Sequence, residues 1–129
     1  MTPLARRLCL NGLVLFVFGL ILGFAIEALP NPRVALSAHL NAVQSGTFLV
    51  ALGLLWGHLG VWPRAAALLG NAIWMSFWGL EAGLTLAAFA ERGAPSAGVR
   101  AGAQALMMAS SVAMLLAVGA LLIPRPRMP

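Results

Sequence analysis

A chain of 129 residues that is 61% hydrophobic and 9% charged, with mean hydropathy +0.94, is too apolar for a soluble domain and too short for two domains. Its one cysteine, Cys9, excludes an internal disulfide and any cysteine metal cluster. The net charge of +5 comes from arginines at the ends of apolar runs, with no basic stripe on a helix face. That excludes a nucleic-acid surface and points to membrane orientation and contact with lipid headgroups.

Apolar runs of about 18 residues or more read as transmembrane helices. They occur over 8–29, 34–56, 65–90 and 101–123. The expected fold is therefore all-α, an integral-membrane four-helix bundle forming a single domain over 1–129. The first run follows Arg6 and Arg7 and could pass for a signal peptide, but it is too long for a signal core and further spans follow, so a retained helix is expected. Gly12, Gly19 and Gly23 fall near one face, and Gly19-xxx-Gly23 is the small-xxx-small pattern that lets helices approach closely. Glu27, in the last turn, reads as an interfacial carboxylate near Arg33.

The second run has two faces. At about 100° per residue, Ser37, Asn41, Gln44 and Ser45 cluster on one side. His39 points the other way with Ala35, Ala42, Gly46 and Gly53. A polar stripe faces something wet or polar. A histidine on a small-residue face meets another helix or a flat cofactor. Trp56 and Trp62 bracket the following loop as interfacial anchors, which puts His58 at the water's edge.

In the third run Asn71, Trp74, Trp78 and Glu81 recur at helical spacing on one face. A carboxylate at membrane depth needs a partner, a proton or a water-filled cavity. For Glu81 a structural hydrogen bond on the face it shares with Asn71 and a functional role are both open. The segment 91–100 is rich in glycine, proline and serine and reads as a surface connection. Gln104, Ser110 and Ser111 are the polar side chains of the fourth run, whose Met107, Met108 and Met114 read as core packing. The tail 124–129 is expected to fray.

Several chemistries find no residues here: no Gly-rich phosphate loop, no histidine pair at metal spacing, no tyrosine. His39 is a group at membrane depth that can be neutral near pH 7 and offer a strong nitrogen ligand. A lone histidine cannot hold zinc. It can be the proximal ligand of a haem or a hydrogen-bonded structural residue, and the residues alone leave both open.

Asn31-Pro32-Arg33-x-x-Leu36-Ser37-Ala38-His39-Leu40, with Gly46, Phe48-Leu49 and Ala51-Leu52-Gly53-Leu54-Leu55-Trp56 after it, resembles the second helix of the hydroxylaminobenzene mutase family, to which styrene oxide isomerase is more distantly related. Arg7-Leu8, Gly12, Leu15-Phe16, Gly19-Leu20 and Gly23-Phe24 extend the resemblance through the first half of the chain. It implies a trimer with haem b between subunits, metal ligation by the histidine at position 39, and a ferric iron acting as Lewis acid on a small apolar aromatic hydroxylamine or epoxide. On that reading the small face of Ala35, Ala42 and Gly46 would leave room for the macrocycle, and Ser45, Asn41 and Gln44 are the candidate catalytic or pocket residues. Two departures stand out. Ser45 occupies the place of the family's asparagine, and the region 69–78 lacks the family's tyrosine. Cofactor binding with an altered substrate, or with the activity itself changed, is the expected consequence.

The alternatives are a small proton-coupled transporter of lipophilic cations, with Glu81 as carrier and Trp74 and Trp78 as a cation-π wall, and a non-catalytic membrane subunit. A Soret band separates the isomerase from both. Arginine counts place both termini on the cytoplasmic side of a bacterial-type inner membrane: Arg6, Arg7, Arg64, Arg125 and Arg127 inside, against Arg33, Arg92 and Arg100 outside. In a Cys9→Ala background, a cysteine introduced in 91–100 should label only from the outside. Labelling from the cytoplasmic side alone would reverse the orientation.

Overall fold

The computed structural model describes residues 1–90 and 97–123. It has four helices: α1 Pro3–Ala25, α2 Pro32–Leu55, α3 Pro63–Phe89 and α4 Ala97–Leu121, with a single 3-10 turn Ile26–Ala28 after α1. All four are long and apolar enough to cross a membrane. At about 1.5 Å per residue such helices exceed the roughly 30 Å of a hydrocarbon core. The all-α, four-span expectation holds.

Helix starts are set by proline. Pro3, Pro32 and Pro63 each open a helix, where the missing N–H costs nothing and the fixed φ suits the first turn. Thr2 caps α1 by accepting from the Ala5 N–H at 3.2 Å. These signals start α1 five residues before the apolar run itself. α4 begins at Ala97, so 97–100 are helical where a surface connection was expected. The rest of that connection, 91–96, and the tail 124–129 lie outside the described residues.

α1 and α2 form the tightest pair. Ala5, Leu8, Gly12, Leu15, Gly19 and Leu22 are buried along α1 in alternating three- and four-residue steps. Ala35, Ala38, Ala42, Ser45, Leu49 and Leu52 repeat that rhythm on α2. This is the seam of two helices crossing at a shallow angle. Glycine brings the backbones together: a Cβ on Gly12 would stand 2.6 Å from the Gly46 carbonyl oxygen, and one on Gly46 would stand 2.6 Å from the Gly12 carbonyl oxygen. In lipid the hydrophobic effect does not drive helices together, so this close van der Waals approach is the main attraction. Cys9 belongs to the same seam, its thiol directed at the Val50 carbonyl at 3.7 Å.

α4 packs along α3, where Met107 lies over Gly83 and Ser110 over Gly79. α3 in turn meets α2. α4 makes no close backbone approach to α1 or α2, so the second hairpin is splayed and a cleft opens between α2 and α4. The Ile73–Phe77 stretch of α3 joins Leu15, Leu49 and Trp56 in the main core. Trp56 is thus a core residue, 5% exposed, and not the interfacial anchor expected; Trp62 is the exposed one of the two.

Asn31 ties the hairpins together. Its backbone N–H donates to Ala88 O at 3.2 Å, and its amide donates to Ala87 O at 3.3 Å and to Ala90 O. The carbonyls at the end of α3 would otherwise lack partners, and in lipid each such loss costs several kcal/mol. Two measurements follow. Asn31→Ala should lower the stability of the purified protein by about 1–3 kcal/mol, read as an earlier thermal transition in detergent. Gly12→Val and Gly46→Leu should each open the α1–α2 seam and lower the melting temperature more than Asn31→Ala does, whereas Gly57→Ala, whose Cβ would meet nothing within 4 Å, should leave it unchanged.

Candidate functional site

The two faces of α2 meet different surroundings. On one side His39 rests against α1. Its Nδ1 lies 2.8 Å from the Gly19 carbonyl oxygen. A backbone carbonyl only accepts, so Nδ1 carries the proton and the neutral ring keeps its lone pair on Nε2. Gly23 makes room for the ring: a Cβ there would stand 2.9 Å from Nδ1 and 3.0 Å from Cε1. The Nε2 edge therefore turns away from α1. His39 is partly exposed, and its Nε2 has no partner among the described residues. A carbonyl holding Nδ1 while Nε2 stands free is the arrangement of a metal-ligating histidine. No further histidine, cysteine or carboxylate joins it to make a group of three among the described residues.

The small residues flanking His39 have a different role from the one expected. Ala35 packs with Leu29 and Ala88. Ala42 sits against Gly19, and Gly46 against the backbone of Gly12 and Phe16. All three are buried by the chain's own helices, so this face does not lie open to a flat macrocycle. The small side chains serve helix contact, and His39 alone of that face reaches the surface.

On the other side of α2, Asn41, Gln44 and Ser45 line one cleft of about 730 Å³ together with Phe48, Phe77, Ser111, Met114, Leu115 and Val118. The expected polar trio is thus brought to one place. Ser37 is not part of it; it is exposed and its hydroxyl donates to Arg33 O at 3.1 Å. Phe48 and Phe77 form an aromatic pair at the cleft, 5.6 Å between centroids. The Ser45 hydroxyl and the Gln44 amide have no hydrogen-bond partner among the described residues. The site thus offers adaptable polar groups on an apolar, aromatic-lined wall, suited to a small aromatic molecule with one polar substituent.

Glu81 is buried, 1% exposed, on the α3 side of α2. Its two carboxyl oxygens accept from Asn41 Nδ2 at 2.9 Å and from the Thr85 hydroxyl at 3.2 Å. Its partner is therefore not Asn71, which instead takes the Trp74 indole N–H at 3.1 Å. Trp74 already carries a cation, with the Arg7 guanidinium 5.9 Å from the ring centroid, and the Trp78 indole N–H donates to Asn11 at 3.3 Å. Of the two indoles, Trp74 thus already has a cation over its ring. Glu27 forms no ion pair with Arg33 among the described residues, and His58 is exposed. Of the methionines, Met114 reaches the cleft, Met107 packs on Gly83, and Met108 is exposed.

Roles that the sequence did not assign complete the picture. Gly19 and Gly23 hold the imidazole, Thr85 holds Glu81, and Phe77 and Ser111 wall the cleft. The glycines were visible as a packing motif, but their spacing does not say that the partner is a histidine.

The family model of styrene oxide isomerase matches residues 4–124. Hydroxylaminobenzene mutase HabB of Ectopseudomonas oleovorans is 52% identical over 67 residues, which cover 50% of this chain and 41% of that protein. Hydroxylaminobenzene mutase HabA of the same organism is 37% identical over 95 residues, 71% of this chain and 68% of its own length. The matched stretch thus spans less than half of HabB and about two thirds of HabA. No solved structure matches the chain. With a family match over nearly all its length and four helices of membrane length, this chain belongs to the styrene oxide isomerase family and is a multi-pass membrane protein.

Proposed function

We propose that the protein is an integral-membrane isomerase acting on a small apolar aromatic hydroxylamine or epoxide taken up from the bilayer, with His39 as the protein ligand of a haem b. The observation that carries this reading is the state of His39, a partly exposed residue: Nδ1 is fixed on the Gly19 carbonyl at 2.8 Å, and Nε2 has no partner among the described residues. A bound ferric haem would supply a Lewis acid that polarises an N–O or C–O bond without net redox change. The chain's own residues would do the rest. Gly19 and Gly23 fix the tautomer and plane of the imidazole. Phe48 and Phe77 receive the aromatic ring. Asn41, Gln44 and Ser45 hold the polar substituent and limit its rotation.

His39 and the cleft lie on opposite sides of α2, so one chain does not bring both to one substrate. A closed homo-oligomer, a trimer as the family resemblance implies, would let the histidine of one subunit serve the cleft of another. The bilayer would be a bacterial cytoplasmic membrane with both termini inside.

Two expectations test the reading. The purified protein should show a Soret band that His39→Ala abolishes while the helical circular dichroism persists, and that His58→Ala leaves intact. A normal Soret band in the His39→Ala protein would overturn the ligand assignment. Ser45→Ala should lower turnover of N-phenylhydroxylamine or styrene oxide roughly tenfold, the loss of about one hydrogen bond of 1–1.5 kcal/mol, with the Soret band unchanged. Full activity in that variant would remove Ser45 from the site.

A further inference from the structure

Glu81 has no part in the chemistry just described, yet it is fully buried and both its oxygens are engaged. Both contacts run the same way: Asn41 and Thr85 donate, Glu81 accepts. While Glu81 is a carboxylate the Asn41 amide is held in this sense, because a turned amide would set Oδ1 against a carboxylate oxygen, acceptor against acceptor. Oδ1 has no partner among the described residues and is not a buried atom, so it is open to the cleft that Asn41 lines. On the opposite wall Ser111 is committed in the same sense. Its hydroxyl proton is given to Met107 O at 2.8 Å, leaving lone pairs toward the cleft. Gln44 and Ser45, with no partner among the described residues, can turn to either role.

We propose that Glu81 is a positioning residue which, by fixing the Asn41 amide, gives the cleft an acceptor polarity and so makes it select ligands bearing an N–H or O–H. Arylhydroxylamines, with both donors, fit it better than aryl epoxides, which only accept. This rests on the cleft being the substrate site. Selection of this kind is effective because an acceptor-only ligand leaves desolvated lone pairs facing its own.

The test compares two unreactive probes of similar size, aniline as donor and anisole as acceptor only, by binding to the purified protein in detergent, alongside kcat/KM for N-phenylhydroxylamine and styrene oxide. The wild type should prefer aniline by roughly tenfold. In Glu81→Gln the side chain offers one acceptor and one donor, so Asn41 can settle either way and the preference should fall to within about twofold of unity. The double variant Glu81→Gln with Asn41→Asp again leaves only lone pairs toward the cleft and should restore the preference. Ser37→Ala, outside the cleft, should not change it. An unchanged preference in Glu81→Gln, or no recovery in the double variant, overturns the proposal; if Glu81→Gln does not fold, the double variant and Asn41→Leu decide, Asn41→Leu being expected to lose the preference. Should the probes behave as stated while neither substrate is isomerised, the isomerase reading fails and the donor selectivity that Glu81 gives the cleft stands. Should neither probe bind saturably, both fall.

Discussion

The structure depends on the contact between α1 and α2, where glycine on both helices lets backbone meet backbone. Gly12 and Gly46 face each other so closely that a methyl group on either would collide with a carbonyl oxygen. Everything about His39 follows from that approach. Only because α1 lies so near can the Gly19 carbonyl accept from the imidazole, and only because Gly23 has no side chain can the ring lie against it. A seam of leucines would hold the helices farther apart, and the histidine would lose the partner that sets its tautomer.

The second hairpin is held more loosely, and its looseness makes the cleft. α4 packs on α3 and makes no close backbone approach to α2. Where a closed bundle would fill this space with side chains, here Asn41, Gln44, Ser45 and Ser111 border about 730 Å³ of open volume. The hairpins are joined by polar contacts made where lipid would leave them unsatisfied: Asn31 on the last carbonyls of α3, and Asn41 on Glu81. Such contacts have few competitors in a membrane, which is why a handful of amide groups can set the register between the pairs.

A single helix thus carries two kinds of polar chemistry on opposite sides, a nitrogen base against α1 and a hydrogen-bonding trio against α3 and α4. The chain belongs to the styrene oxide isomerase family, and the separation of its two polar faces is the chemical reason for proposing a closed oligomer.

Much of this was legible in the residues. Four membrane-length helices follow from apolar runs alone, because lipid permits little else. The divergence of His39 from Asn41, Gln44 and Ser45 follows from 100° per residue. The Gly19-xxx-Gly23 motif marked α1 as a close-packing helix. What the sequence could not supply is which surface met which. The face of Ala35, Ala42 and Gly46 looked equally suited to a helix or a flat cofactor, since both need small side chains, and only the tertiary structure shows α1 filling it. Glu81 and Asn71 share a helix face, yet Glu81 pairs with Asn41 from another helix, because partners at membrane depth are set by interhelical distance and not by spacing along one helix. Trp56 has the composition of an interfacial anchor and lies in the core for the same reason. Periodicity determined the faces of each helix; the approach of one backbone to another decided what each face does.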